Sequence, residues 1–265
     1  MAVLLERRVS TAAGWSRRLA FFAAALLIAS VVGHRTALVD TIALFWLFGI
    51  VVCLALTAIL LALLGFFRLW EYGDRGGRNS TKGTLAALLV LTPFAYGAFL
   101  FFAFPGLTDI STDTIDPPTF HHARKVRSPL MNPLQDYSGA DAVVQVDRYP
   151  EITGRRYPLS QAIARDISFA VAADLGWAAL GAPRTGAFGR MVTFEFAAPS
   201  PVVGFVSDVA VRLIDEGDAI YVDLRSTARY GRHDLGDNAV KIGRFFAALE
   251  EEIAERNALF LSVTE

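Results

Sequence analysis

The chain has 265 residues, 54% of them hydrophobic and only 19% charged, against about 25% charged in an ordinary soluble domain. Its mean hydropathy of +0.41 excludes a chain that is disordered throughout and argues against a single soluble globule. The formal net charge of −1 carries no basic excess for nucleic acid, and one cysteine excludes a disulfide framework or a multi-cysteine metal site.

The charges are unevenly spread. Between Leu19 and Phe67 only Arg35 and Asp40 are charged, and from Gly83 to Thr108 nothing is. Three apolar runs follow, and they predict an anchor over residues 1–104 with spans near 15–33, 41–67 and 83–104. The first reaches back through Trp15, with Arg17 and Arg18 snorkelling to the headgroups. A cleaved signal peptide competes for this run, but no small-x-small site stands near Gly33. The second is closed by Trp70 and Tyr72, and the third contains Pro93, which predicts a kink.

Basic residues flank the spans in alternation. Arg7, Arg8, Arg17 and Arg18 precede the first, Arg35 alone follows it, Arg68, Arg75, Arg78 and Lys82 follow the second, and none appears after the third until Arg124. The positive-inside rule then places the N-terminus in the cytoplasm and residues 105–265 outside, which in a bacterial inner membrane means the periplasm. The anchor carries net +5 and the remainder net −6. That acidity disfavours nucleic acid and anionic lipid headgroups as broad-surface partners; the partners expected are the lipid bilayer and a small amphipathic ligand or an envelope protein. The stretch Gly73–Gly83 is a solvated loop, since it lacks the order and the preceding strand of a phosphate loop.

Residues 105–157 show no periodicity and contain six prolines from Pro105 to Pro150; they read as an extended linker that wraps the domain. Asp109, Ser111 and Asp113 imitate the start of a calcium loop, but Thr114 and Phe120 replace its glycine and final glutamate. The side chains of the adjacent His121 and His122 diverge, so no metal site is expected there.

An α+β domain is expected over 158–265. Ser160 caps a helix that stops at Gly176, and Ile163, Ile167, Ala170 and Val171 form its apolar face. Strands follow at Trp177–Leu180, Arg190–Phe196, Gly204–Leu213 and Ala219–Ala228. A turn through Glu216-Gly217 pairs the last two, setting Leu213 opposite Ile220, Val211 opposite Val222, Val209 opposite Leu224 and, on the other face, Asp208 opposite Arg225. A final helix starts with Asp234 as its N-cap, and its stripe is Leu235, Ile242, Phe245, Phe246, Leu249 and Ile253. Helix, four antiparallel strands and helix make a two-layer α+β domain.

Arg225-Ser-Thr-Ala-Arg-Tyr-Gly-Arg-His-Asp-Leu-Gly-Asp-Asn238 resembles the signature R-S-x-S-R-x-G-x-x-D-L-G-x-N of the bacterial family known as domain of unknown function 1499. Arg225, Ser226, Arg229, Gly231, Asp234, Leu235, Gly236 and Asn238 fit, and Ala228 replaces a serine. Phe205-Val-Ser-Asp208 is similar to the family's F-x-D-D, with Ser207 in place of the first aspartate. Asp109–Pro118 resembles the stretch that members carry just outside the membrane, and the spans resemble the family's anchored subset. The resemblance covers roughly residues 105–255 and carries over no activity.

Two readings of the motif stand side by side. Asp208, Arg225, Ser226, Arg229, Gly231, Asp234, Gly236 and Asn238 form either a polar clamp that fixes the last strand to the last helix, or an anion site beside a helix N-terminus. In the clamp Arg225 pairs with Asp208, Arg229 reaches Asp234 or the linker carboxylates, and Asn238 holds backbone groups. His233 beside Asp234 is too little for acid–base catalysis, so no catalytic residue, metal or cofactor is assigned. The favoured function is a non-catalytic module for a small amphipathic or anionic ligand held between sheet and helices. The alternative is a structural or partner-docking component of an envelope complex, with a solidly packed interface; an enzyme is least favoured.

Overall fold

The computed structural model describes residues 8–264, with the side chains of Ala187 and of 259–264 left aside. The described residues form two compact units that divide between Phe99 and Leu100.

The first unit is helical. Helix α1 (Thr11–Arg35) starts at Ser10, whose hydroxyl accepts from Ala13 N at 3.3 Å. Helix α2 (Thr41–Tyr72) starts at Asp40, whose carboxylate accepts from Ala43 N at 2.9 Å, and it ends at Gly73 with φ +67°. Helix α3 (Gly77–Ala103) continues through Pro93. All three are long and apolar enough to cross a membrane. Their buried faces are built from small residues: Ala20, Ala23, Ala55, Ala58 and Ala87 are fully buried. A Cβ at Gly83 would lie 2.1 Å from Ser16 Oγ, and one at Gly65 would lie 2.3 Å from Ser80 Oγ. Close backbone approach of this kind is how helices associate in lipid. The large side chains of Phe21, Phe22, Leu60 and Leu63 face outward. The stretch expected as a solvated loop is shorter than 73–83, because α3 begins at Gly77.

The second unit is an antiparallel sheet with helices, the α+β class expected. Three long strands make its centre: β5 (Met191–Pro199), β6 (Val206–Asp215) and β7 (Ile220–Ala228). Short strands line both edges. Strands β1 (Asp109–Ser111) and β2 (Arg155–Tyr157) pair with β7; β3 (Ala178–Ala179) and β4 (Arg184–Thr185) pair with β5. The sheet therefore has seven strands among the described residues, against four expected. Strands β1, β2 and β4 are two or three residues long, too short to show an alternation. The segment 105–157 supplies β1, β2, a single helical turn α4 (Ala123–Val126) and helix α5 (Gly139–Arg148).

Helices α6 (Gln161–Asp174) and α7 (Asp237–Thr264) cover one sheet face. Ser160 caps α6, accepting from Ile163 N at 3.4 Å, and Gly176 follows its end with φ +74°. Val209, Val211, Leu213, Ile220, Val222 and Leu224 meet Ile167, Val171, Ile242, Phe245, Phe246 and Leu249 in one core. Trp177 stacks on Phe245 with centroids 5.6 Å apart.

The hairpin between β6 and β7 corrects the expected register by two residues. Leu213 faces Val222, Val211 faces Leu224 and Val209 faces Ser226; Asp208 faces Thr227 and Ala210 faces Arg225. Asp215 pairs with Ile220, and Glu216 N donates to Ala219 O at 3.0 Å, so Gly217 and Asp218 are the central turn residues. Gly217, with φ +103°, takes the first central position, as primed hairpin turns prefer. A slip of two keeps every side chain on its face, so the apolar pattern is satisfied by either register.

Helix α7 begins at Asp237, two residues later than an N-cap at Asp234 implies. Leu235 (φ +57°) and Gly236 (φ +82°) are left-handed and delay the helix. Asp234 still caps it from outside, its carboxylate accepting from Gly236 N at 2.9 Å and Asn238 N at 3.1 Å.

Candidate functional site

The sequence motif occupies the passage from β7 to α7, and its residues bind the segment that enters the domain. Asp234 N donates to Leu107 O at 3.0 Å. Asn238, fully buried, accepts from Ser226 Oγ at 2.7 Å and donates to Thr108 O at 2.9 Å. His233 Nδ1 accepts from Leu235 N at 2.9 Å, so Nε2 carries the proton and donates to Phe104 O at 3.1 Å. A Cβ on Gly236 would sit 3.0 Å from the Phe104 ring. Gly236→Ala therefore meets both a ring and a left-handed backbone, and an expected loss of about 1–3 kcal/mol should appear in urea unfolding of the full chain in detergent. Gly231 has φ +89°, and its carbonyl accepts from Asn132 Nδ2 at 2.7 Å.

The second face of the sheet is polar and equally closed. Residues 112–137 lie across it, tied to the strands by Arg212 and Arg225 from the sheet and by Arg127 of the cover itself. Arg225 forks onto Asp109, Nε to Oδ1 at 3.0 Å and Nη2 to Oδ2 at 2.7 Å, and donates to the carbonyls of Pro118 and Gln135. The rings of Phe120 and Tyr137 lie 5.3 and 5.4 Å from its guanidinium carbon. Asp208 instead holds Arg229, Nη2 to Oδ1 at 2.6 Å, and Arg127, Nε to Oδ2 at 2.6 Å. Arg212 joins Asp223 at 2.5 Å and Asp116 at 3.0 Å. The expected Asp208–Arg225 pair is thus replaced by Asp208–Arg229 and Asp109–Arg225, because the register moves Arg225 two residues away from Asp208.

Neighbouring groups complete the layer. Glu195 accepts from the backbone N–H of His121, His122 and Ala123 at 2.8–3.0 Å. The two histidines diverge, one toward Thr119 Oγ1 and the other toward Ala182 O. Asp113 accepts from Ile115 N and Asp116 N, closing a turn on itself. Gln145 binds Ser111 as a strand would, accepting from its N at 2.9 Å and donating to its O at 2.6 Å, while Tyr137 Oη donates to the same side-chain oxygen. Ser207 accepts from Lys241 Nζ at 2.9 Å, and Asp237 pairs with the same ammonium.

Burial dominates the titration of these groups. It pushes Asp109 up against the opposing pull of Arg225, and Asp234 up against the N–H groups of Gly236 and Asn238. It pushes Lys241 down, with Asp237 opposing. Arg127 is lowered by burial despite Asp208. Burial also works against Arg212, but its bonds to Asp223 and Asp116 prevail and raise it. Asp223 is pushed up to about 6 by burial, with Arg212 opposing. Since that value lies above the ordinary 3.8, the folded chain binds more protons than the unfolded one between the two. The contribution is complete below the unfolded value and is lost as pH rises through the folded one. Relative to Asp223→Asn, which does not titrate, the natural chain should lose roughly 3 kcal/mol between acid and neutral pH, at about 1.36 kcal/mol per unit. Pulse proteolysis of both full chains across that range measures it.

Chemically, the arrangement is a set of satisfied ion pairs. Of the motif residues named from sequence, Arg225, Asp234 and Asn238 bind Leu107–Asp109 and Ser226 joins them through Asn238, whereas Asp208 and Arg229 pair with each other beside Arg127, and Gly231 binds Asn132. Sequence reasoning missed Asp109 as the partner of Arg225, and also Arg127, Asn132, Gln145, Glu195 and Lys241. One signal was available: Asp208, Arg212, Asp223 and Arg225 share one face of two central strands, and such a charged face needs a cover of opposite charges. Among the described residues, no group of three or more His, Cys, Asp or Glu is placed to hold a metal.

A family model described as a protein of unknown function, DUF1499, matches residues 109–249. Its span covers β1 to α7 and takes in Asp109 together with the whole motif. No curated protein and no solved structure matches the chain.

Proposed function

This chain belongs to the DUF1499 family, which brings a domain without a known activity, and on that premise we propose that it is a multi-pass protein of the bacterial inner membrane whose periplasmic domain is a non-catalytic structural or docking module. Asp208, Arg225, Ser226, Arg229, Gly231, Asp234, Gly236 and Asn238 serve as its clamp. The observation that carries this reading is that Arg225 and Arg229 already spend their guanidinium forks on Asp109 and Asp208. An anion would have to displace a carboxylate from each. The interface that a lipid-like ligand would occupy is filled, with Ile242, Phe245 and Leu249 buried against the valines of β6 and β7. These two features favour docking over a ligand held between sheet and helices.

The topology rests on the alternation of basic residues around the spans. Alkaline phosphatase fused after residue 265 should be active and a fluorescent-protein fusion dark; the reverse overturns the orientation. Native mass spectrometry of the full chain, gently extracted, tests the module. Protein subunits in fixed ratio with no defined small-molecule adduct are expected. An adduct of fixed stoichiometry that is not bulk lipid would restore the ligand reading.

A further inference from the structure

Helix α5 is turned inside out relative to an ordinary surface helix. Its buried residue is Gln145, 1% exposed, while Val143, Val144 and Val146 are 72%, 41% and 57% exposed. The cause is the bond of Gln145 to the edge of β1: docking through an amide leaves Val143, Val144 and Val146 facing away from the domain, with the exposed Asp147 on the same side at the helix end. In water this arrangement has no reward, since a surface helix normally hides its apolar stripe.

Its neighbours indicate what covers the valines. The last turn of α3, from Leu100 to Ala103, belongs to the second unit. Arg148, at the C-terminal end of α5, donates from Nη2 to the carbonyl of Ala103 at 3.1 Å. The next residue, Tyr149, stacks on Phe104 with centroids 6.4 Å apart. Thus α5 is fastened to the point where the third apolar helix ends, and a helix that ends there ends at a bilayer surface.

We propose that α5 is an interfacial helix, lying on the membrane with Val143, Val144 and Val146 in the headgroup–acyl boundary. Its apolar side has the neighbour it needs in lipid. With Asp141 and Asp147 against Arg148, the helix has no basic excess, so the surface it fits is zwitterionic rather than strongly anionic lipid. Either orientation of the chain leaves the inference intact, as does failure of the docking reading, because it depends only on α3 ending in the membrane.

The test uses the full chain with Cys53→Ala in phosphatidylcholine nanodiscs. Val143→Cys and, independently, Val146→Cys carry an environment-sensitive fluorophore. Asp141→Cys, on another side of α5, and Phe188→Cys, in the distant turn before β5, are controls. Nitroxide-labelled lipids should quench the probes at 143 and 146 several-fold more than those at 141 and 188, with blue-shifted emission. Probes at 143 and 146 that emit as in water would overturn the proposal. Blue-shifted emission without lipid quenching would overturn it too, assigning the valines to a protein contact.

Discussion

Replacing Asp208 by alanine is expected to cost about 3–5 kcal/mol, the usual effect of leaving buried charges unpaired. Asp208 is fully buried, and its two oxygens serve two arginines whose side chains are 5% and 14% exposed. Removing the carboxylate strands both at once. Against a total stability of about 5–15 kcal/mol, that is enough to unfold a substantial share of the domain. Asp208→Asn keeps one acceptor oxygen and should lose less. Pulse proteolysis of the full chain in detergent reads both. A stability unchanged in Asp208→Ala would mean that solvent reaches Arg127 and Arg229 easily, and it would remove the basis for a clamp.

Arg225→Ala should have an effect of the same size by the opposite route. It leaves the half-buried Asp109 without its partner and deprives the carbonyls of Pro118 and Gln135 of a donor. The loss should again be about 3–5 kcal/mol. Its local signature is distinct: the cover over the polar face should become the first site of proteolytic cleavage, between β1 and α5. Adding Asp109→Asn should recover part of the loss, because no unpaired carboxylate then remains. Arg225→Lys keeps the charge but not the fork and should fall between. If Arg225 were an anion-binding residue instead, its loss would leave unfolding nearly unaltered.

What could be read in the sequence depended on length and period. The spans were legible because charge is missing for whole helix lengths, and β5 to β7 because their alternation runs for nine or ten residues. The face of each residue in the final hairpin was legible; the pairing was not, because β6 and β7 alternate with period two and turn chemistry alone separates registers two apart. From that slip came the wrong partner for Arg225. The cover was illegible for another reason: residues 112–137 are held by side chains reaching backbone, as Arg225 reaches Pro118 O and Glu195 reaches the N–H groups of 121–123. Such bonds leave no periodic trace. The later start of α7 had a local cause, since Leu235 adopts a left-handed conformation that leucine rarely takes.

The short strands at the rim limit how anything can attach to this protein. Along the free side of β7, β2 pairs with Ile220–Val222 and β1 with Arg225–Thr227; between them Thr112 exchanges hydrogen bonds with Leu224 N and O. Along β5, β4 takes Val192–Thr193, β3 takes Phe196–Ala197, and Leu180 N donates to Glu195 O between them. Both long outer strands are therefore sealed by the chain itself. A partner peptide cannot add to them as a further strand, nor can another copy zip onto them to begin an aggregate. Recognition along these two long strands therefore runs through side chains, which makes it a matter of surface sequence rather than of backbone shape.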